Sequence, residues 1–308
     1  MNFVSVIIPT YKRSEKLSVA INSVLNQTYK NIEIIVVDDN GNTSFREEAY
    51  KTLASYIESD QIKYIKHKSN QGGCAARNTG AFAAKGDYIA FLDDDDFYEP
   101  TKIEEQIKFS KKNIHLDACM CSMFRIDENN EQIQSRENTA RGVTLKEAIL
   151  DGNLFTSMLL IKKEAFIKLG GFSEIPRFQD KYFHYKFLSA GHKIGVLNKP
   201  LLTLVEHTDI RISSIGSRKV IAALKLLAQV ESKHKQLFSK KEQRFLKHRF
   251  YIKKAEVLCL GTFKDKFKSF LFCFSAIRYA SKSNYLYVFK LMVKSLSPNF
   301  IFNILKEK

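Results

Sequence analysis

Tryptophan is absent from the 308 residues, so the large core side chains have to come from 24 Phe and 13 Tyr. Cysteines are few and odd in number: Cys74, Cys119, Cys121, Cys259 and Cys273. With no secretory leader pattern, five cysteines lead us to expect reduced thiols in a cytosolic compartment. Cys119-x-Cys121 is not a zinc spacing and no second pair accompanies it. No run of about 18 uncharged apolar residues occurs, so no membrane-spanning helix is expected. A Gly-x-x-x-x-Gly-Lys-Ser/Thr loop is missing, which disfavours a P-loop kinase or ATPase, and Gly72-Gly73 does not follow the dinucleotide fingerprint. Internal repeats and low-complexity segments are missing too. What remains is a globular composition, 44% hydrophobic and 27% charged.

Acidic residues are scarce in one part of the chain. Residues 1–215 hold 28 Lys+Arg and 28 Asp+Glu, whereas residues 216–308 hold 21 and 5. The whole net charge of +16 therefore sits in the tail. That shift marks a boundary between a neutral body, 1–215, and a basic C-terminal region, 216–308.

The body is organised around Gly86 to Asp96. Tyr88 to Leu92 reads as a strand buried on both faces, and four carboxylates, Asp93 to Asp96, follow at once. Carboxylates crowded at a buried strand end repel unless a cation sits there, and a hard divalent ion with oxygen ligands suits them. Phe3 to Ile8 and Ile32 to Val37 are further buried strands, the second ending in Asp38-Asp39. Ser14 is placed to cap a helix to about Gln27, Ser44 to Ser59 reads as a second helix, and Ile62 to Ile65 as a short strand. Cys74 to Ala84 is an Ala-rich helix. Strand and helix alternate, which predicts an α/β fold with a mostly parallel sheet flanked by helices. Later come a strand at Ser157 to Ile161, a helix at Gln179 to Ala190, and two strands at Ile194 to Val196 and Leu201 to Val205.

In a parallel sheet both acidic strand ends fall on one edge. With Arg77 at the start of a helix between them, they describe a site for an anionic ligand bridged by a metal, and a nucleotide diphosphate fits.

These segments resemble a known family. Val4-Ser5-Val6-Ile7-Ile8-Pro9-Thr10-Tyr11, Ile35-Val36-Val37-Asp38-Asp39, Asn70-Gln71-Gly72-Gly73-Cys74-Ala75-Ala76-Arg77-Asn78 and Phe91-Leu92-Asp93-Asp94-Asp95-Asp96 are similar to successive motifs of family 2 glycosyltransferases with the GT-A fold. Gly170-Gly171-Phe172 and Phe178-Gln179-Asp180 resemble that family's acceptor-side motifs. The resemblance implies an inverting transferase that uses a nucleotide-sugar and Mg²⁺ or Mn²⁺. It further implies that Pro9, Thr10, Tyr11 and Arg13 line the nucleotide and that Asp39 bonds the uracil of a UDP-sugar. Arg77 and Asp93 would lie near the donor, Asp94 would face ribose or sugar, and Asp95 would bind the metal, with a register open by one among the four aspartates. His207 is a second candidate metal ligand, and Arg211 and Ser213 are candidate phosphate contacts. Asp180 is the candidate base, because inversion needs one carboxylate to take the acceptor hydroxyl proton. The family commonly has Glu-Asp where this chain has Gln179-Asp180, so one neighbouring charge is lost.

In the tail, Phe267, Phe270, Leu271, Phe274 and Ile277 recur at helical spacing among lysines, and Tyr285, Val288, Phe289, Met292, Val293 and Leu296 repeat the pattern. Basic amphipathic helices read either as membrane-surface segments or as a bundle with a solvated basic face. The expected enzyme extends a glycan or lipid-linked glycan at the inner face of a bacterial membrane, in surface polysaccharide synthesis. A nucleotidyltransferase would share sheet, metal and acids, but Pro9-Thr10-Tyr11-Lys12-Arg13 is not its Gly-rich loop. Nucleic acid is not an expected partner, since the acidic edge would repel phosphates and the tail has no recognition motif.

Overall fold

The N-terminal β-branched run forms β1 (Val4–Thr10), almost wholly buried. In the computed structural model, which describes residues 2–206, 216–281 and 284–296, β1 pairs in parallel with β2 (Ile32–Asp38), from Val4 opposite Ile32 to Thr10 opposite Asp38. β2 pairs in parallel with β3 (Lys63–Lys66). The chain then crosses back through α3 (Gly73–Ala83) to β4 (Tyr88–Phe91), which lies parallel on the other side of β1. α1 (Leu17–Leu25) and α2 (Ser44–Glu58) are the earlier crossovers. Strand order thus reverses between β1 and β4, and in open α/β sheets the crevice beyond such a reversal binds ligands. Gly80 allows α3 to sit close on the sheet, since a Cβ there would stand 2.4 Å from Ile7 Cγ2.

The remaining strands extend the sheet past β4. They are β5 (Phe97–Tyr98), β6 (Ala118–Ile126), β7 (Leu159–Lys162) and β8 (Ile194–Val205), interleaved with α4 (Lys102–Lys112), α5 (Leu145–Asp151), α6 (Lys163–Leu169) and α7 (Gln179–Ser189). Among the described residues the order across the sheet is β3-β2-β1-β4-β7-β6-β8-β5. β7 runs antiparallel to both neighbours and β5 antiparallel to β8, while β6 and β8 are parallel. The mostly parallel expectation describes the first half; antiparallel strands enter in the second.

Three local expectations are corrected. α1 begins at Leu17 after Lys16, with no side-chain cap, so Ser14 does not cap it. Thr156–Met158 is a 3₁₀ turn, and β7 starts at Leu159 instead of Ser157. The two late strands are one, β8, whose ladder shifts register beside Ser122 and Pro200. A proline cannot donate to the ladder, so pairing is interrupted there without ending the strand.

The chain divides into two compact units, Met1–Ile175 with Gln179–Arg211, and Pro176–Phe178 with Ile212–Lys308. The second contains α8 (Ser217–Lys233), α9 (Lys240–Leu258), α10 (Phe263–Ile277) and α11 (Tyr285–Leu296). Capping boxes at Ser239/Glu242 and Thr262/Asp265 start α9 and α10 by satisfying otherwise orphaned backbone donors. Ile252, Ala255, Cys259, Cys273, Ala276, Val288 and Leu291 form its small core. All five cysteines are buried free thiols. Among the described residues no helix is long and apolar enough to cross a membrane.

Candidate active site

Thr10 closes β1 and joins the two acidic strand ends. Its carbonyl accepts the backbone N–H of Asp39 at 3.0 Å, and its hydroxyl donates to Asp94 Oδ2 at 2.7 Å. β2 and β4 flank β1, so the parallel register alone brings both clusters to one edge.

Asp38 and Asp39 have different surroundings. Asp38 is fully buried, accepts the Asn40 N–H at 2.8 Å and takes the Tyr64 hydroxyl, so it braces the fold. Asp39 holds the turn before α3. Its Oδ1 accepts from His67 Nδ1 at 2.7 Å and the Gln71 N–H at 2.8 Å, and its Oδ2 accepts the Gly72 N–H at 2.7 Å. His67 Nε2 lies 2.9 Å from Thr79 Oγ1 on α3, which fixes the ring. A carboxylate offers about four acceptor positions. One remains on Oδ2 for a single outside N–H.

The four aspartates after β4 diverge. Asp93 pairs with Arg77, and Asp95 with Arg13. Asp94 turns inward to Thr10, and Asp96 accepts the Val205 N–H of β8 at 3.2 Å. Burial, then the charge of Asp95, pushes Asp94 up to about 7. Burial, followed by Asp95 and Asp93, holds Asp96 well above the usual carboxylate range. Carboxylates this reluctant to ionise suit a divalent cation beside them. Asp94 and Asp95 supply hard oxygen donors, and magnesium characteristically takes one or two carboxylates plus phosphate and water. Among the described residues no three His, Cys, Asp or Glu groups form a metal cage. His207, Arg211 and Ser213 lie outside the described residues. Pro9 and Tyr11 are half-buried, and Arg13 reaches back from the same loop to Asp95.

Arg77 connects this edge to the start of α7. It lies in the second turn of α3, pairs with Asp93, and extends Nη1 to Gln179 Oε1 at 3.4 Å. Burial acts to lower its pKa, but Asp93 and Asp180 together hold it above its ordinary value. Asp180 follows Gln179 in the first turn of α7 and accepts the Thr156 hydroxyl. Burial raises the Asp180 pKa; Arg77 and Thr156 oppose the rise and Asp93 adds to it.

The packing that orients α7 is aromatic. Phe183 on α7 lies 4.5 Å from Phe172, and Phe172 lies 5.3 Å from Phe91 of β4, centroid to centroid. Gly170 and Gly171 both take positive φ, turning the chain after α6. This presents Phe172 to Asn78, whose amide bonds both the N–H and the carbonyl of Phe172 at 2.8 Å.

The structure thus brings together Thr10, Arg13, Asp39, Arg77, Asp93, Asp94, Asp95 and Asp180 as sequence reasoning grouped them. It adds Thr156 and His67, and gives Gln179 a contact with Arg77. Thr156 lies in Phe155-Thr156-Ser157, which has no motif; His67 lies in Lys66-His67-Lys68, which reads as a solvated loop.

Comparison with known proteins gives concordant results. A family model described as "Glycosyl transferase family 2" matches residues 5–173. An uncharacterized glycosyltransferase of Haemophilus influenzae is 32% identical over 217 residues, covering 66% of this chain and 68% of that one. An uncharacterized glycosyltransferase of Rickettsia conorii is 38% identical over 157 residues; the match covers 51% of this chain but spans 23% of that protein's length. The crystal structure of S. aureus TarS 1–349 in complex with UDP-GlcNAc is similar with a TM-score of 0.64 and 18% identity, covering 90% of this chain and 89% of that one.

Proposed function

The chain belongs to glycosyl transferase family 2 and has the GT-A fold, and on that premise we propose that it transfers a sugar, with inversion, from a UDP-linked donor to a hydroxyl of a glycan or lipid-linked glycan. That it is a glycosyltransferase follows from the family; donor base, acceptor and residue roles are our reading. The observation that carries it is the path of contacts from Asp39 through Thr10 to Asp94, and from Asp93 through Arg77 toward the buried Asp180, which supports reading the acidic edge and that carboxylate as one site.

The chemistry would run as follows. Asp39 offers its remaining acceptor position to the uracil N3–H, while Arg13 and Arg77 supply planar donors for phosphate oxygens. Asp94 and Asp95 would hold Mg²⁺ or Mn²⁺, which when bound neutralises charge developing on the diphosphate. Asp180 takes the acceptor hydroxyl proton as the hydroxyl oxygen bonds to the anomeric carbon. The carbon–oxygen bond to the β-phosphate breaks on the opposite face, and UDP departs with the electron pair. Thr156 holds the Asp180 carboxylate in place for that transfer.

We extend the proposal to peripheral contact of the basic region with an anionic membrane at the cytoplasmic face, in bacterial surface polysaccharide synthesis. The concentration of the +16 net charge in residues 216–308 and the apolar faces of α10 and α11 support it.

Calorimetry with UDP, CDP and GDP tests the donor assignment. Uracil presents an N–H where cytosine presents a lone pair, so a carboxylate should favour UDP over CDP. Preference for GDP or CDP would overturn the assignment; with UDP preferred, a panel of UDP-sugars screened for UDP release identifies the sugar.

A further inference from the structure

α10 is held by one face. Ser269 donates to the Ala255 carbonyl of α9 at 2.8 Å and lies 2.7 Å from Ser295 of α11. Cys273 and Ala276 are fully buried between the same helices, and His248 of α9 reaches the Ala276 carbonyl at 3.1 Å. At about 100° per residue, these positions occupy one side of the helix.

The opposite side is apolar and exposed. Phe267, Leu271 and Phe274 retain 53%, 48% and 54% of their accessible surface. Going round the helix, the order is Phe274, Phe267, Arg278, Leu271, Lys264 and Lys268, all within about 120° at that same spacing. Arg278, Lys264 and Lys268 are exposed. An apolar arc bordered on one side by Lys264 and Lys268, with Arg278 at the C-terminal end of the helix, is the pattern of a helix lying in a bilayer interface. Phe270, half-buried, packs its ring against Phe274 at 4.9 Å, so the apolar side is pre-ordered.

We propose that this face of α10 is a wedge for an anionic lipid surface. Phe267, Leu271 and Phe274 would enter the headgroup–acyl boundary while Lys264, Lys268 and Arg278 meet lipid phosphates. The inference deepens the membrane contact proposed above and rests on it. Charge selects the occupant. A second copy packed symmetrically on this face would set its three cations against three more, and interface cores are depleted in charge. An anionic bilayer satisfies the rings and the cations together.

The test is sedimentation of the full chain with vesicles of phosphatidylglycerol and phosphatidylcholine, and with phosphatidylcholine alone. The variants are Phe267→Ser/Leu271→Ser/Phe274→Ser and Lys264→Gln/Lys268→Gln/Arg278→Gln. All six side chains are exposed, so melting should stay near wild type. Expected is salt-sensitive binding to the anionic vesicles that each triple variant weakens at least ~10-fold, as lost apolar burial and lost headgroup attraction both require. Wild-type binding matched by both variants would overturn the wedge and leave membrane contact elsewhere in the region standing. Failure of the wild type to bind at low salt would overturn both. A wild-type dimer made monomeric by the aromatic variant, with no vesicle binding, would assign the face to a second copy and overturn the proposal.

Discussion

Thr156 donates its hydroxyl to the carboxylate of Asp180 from a 3₁₀ turn 24 residues earlier in the chain. That hydrogen bond favours the ionised carboxylate against the burial that disfavours it. Thr156→Val should therefore lower the transfer rate about 10-fold, less than the ~10²–10⁴-fold that loss of the base itself costs, and move the acid limb of the pH–rate profile upward. UDP affinity should not change, and Thr156→Ser should restore both rate and profile. Steady-state kinetics from pH 5 to pH 8 with calorimetry decides it; an unmoved acid limb would count against a positioning role.

Asp180→Asn keeps the shape of the side chain and removes the proton acceptor. A loss of ~10²–10⁴-fold in turnover is expected, with UDP affinity nearly unchanged, because the base acts on the acceptor in the transition state. Gln179→Ala should be much milder. Transfer by Asp180→Asn at the wild-type rate, or retention of anomeric configuration by NMR, would defeat the inverting mechanism.

Asp95→Asn removes one of the two hard donors beside Thr10 and Arg13. Transfer should fall at least ~10-fold, and excess EDTA should abolish wild-type activity until Mg²⁺ or Mn²⁺ is restored. Full activity in EDTA would show that no metal is needed.

His184 on α7 is buried, and its Nε2 lies 2.7 Å from the Gly142 carbonyl. Burial pulls its pKa down to about 4. The unfolded chain, with an ordinary histidine near 6.5, binds the proton first as pH falls. The contribution of a neutral His184 is therefore complete above about 6.5 and is lost as pH drops toward about 4. The lowered value corresponds to about 3 kcal/mol over that window. Urea unfolding at pH 7.5 and pH 4.5 should show a steeper fall for wild type than for His184→Gln; equal falls would refute it.

Gly171 and Gly170 both have positive φ, yet their surroundings differ. A Cβ at Gly171 would stand 2.4 Å from Asn78 Oδ1, while none of the neighbouring atoms lies within 4 Å at Gly170. Gly171→Ala should break the Asn78–Phe172 pair and cost about 2–3 kcal/mol. Gly170→Ala should cost about 1 kcal/mol, the left-handed penalty alone. Thermal melts that rank the two equally would contradict the packing described.

The acidic edge was legible in the sequence because it depends on continuous apolar runs of buried strands and on parallel register. Buried runs ending in Asp38-Asp39 and Asp93 to Asp96 must meet at one edge once β1, β2 and β4 are parallel. The antiparallel β7 was not legible, because Leu159–Lys162 is a short apolar run with no mark of direction. β8 read as two strands because Pro200 resembles a break when its partner strand is unknown. Thr156 and His67 escaped notice because their roles arise from hydrogen bonds across 24 and 28 residues, which spacing does not record. Arg77 read as a residue near the donor diphosphate; in the fold it holds Asp93 and reaches Gln179, a partner that a single chain of letters does not reveal.

The reversal of strand order between β1 and β4 separates two inheritances. The residues we assign to the nucleotide stand on β1, β2, α3 and the end of β4, all before residue 97, whereas Asp180, Thr156 and the aromatic stack under α7 come after it. On the proposed roles, replacement of the later segment would redirect the acceptor while leaving the proposed UDP edge intact, provided Asn78 still finds its two backbone partners at Phe172. Chimeras cut near residue 97 are the natural unit for changing what this protein glycosylates, and Asn78 marks the seam they must respect.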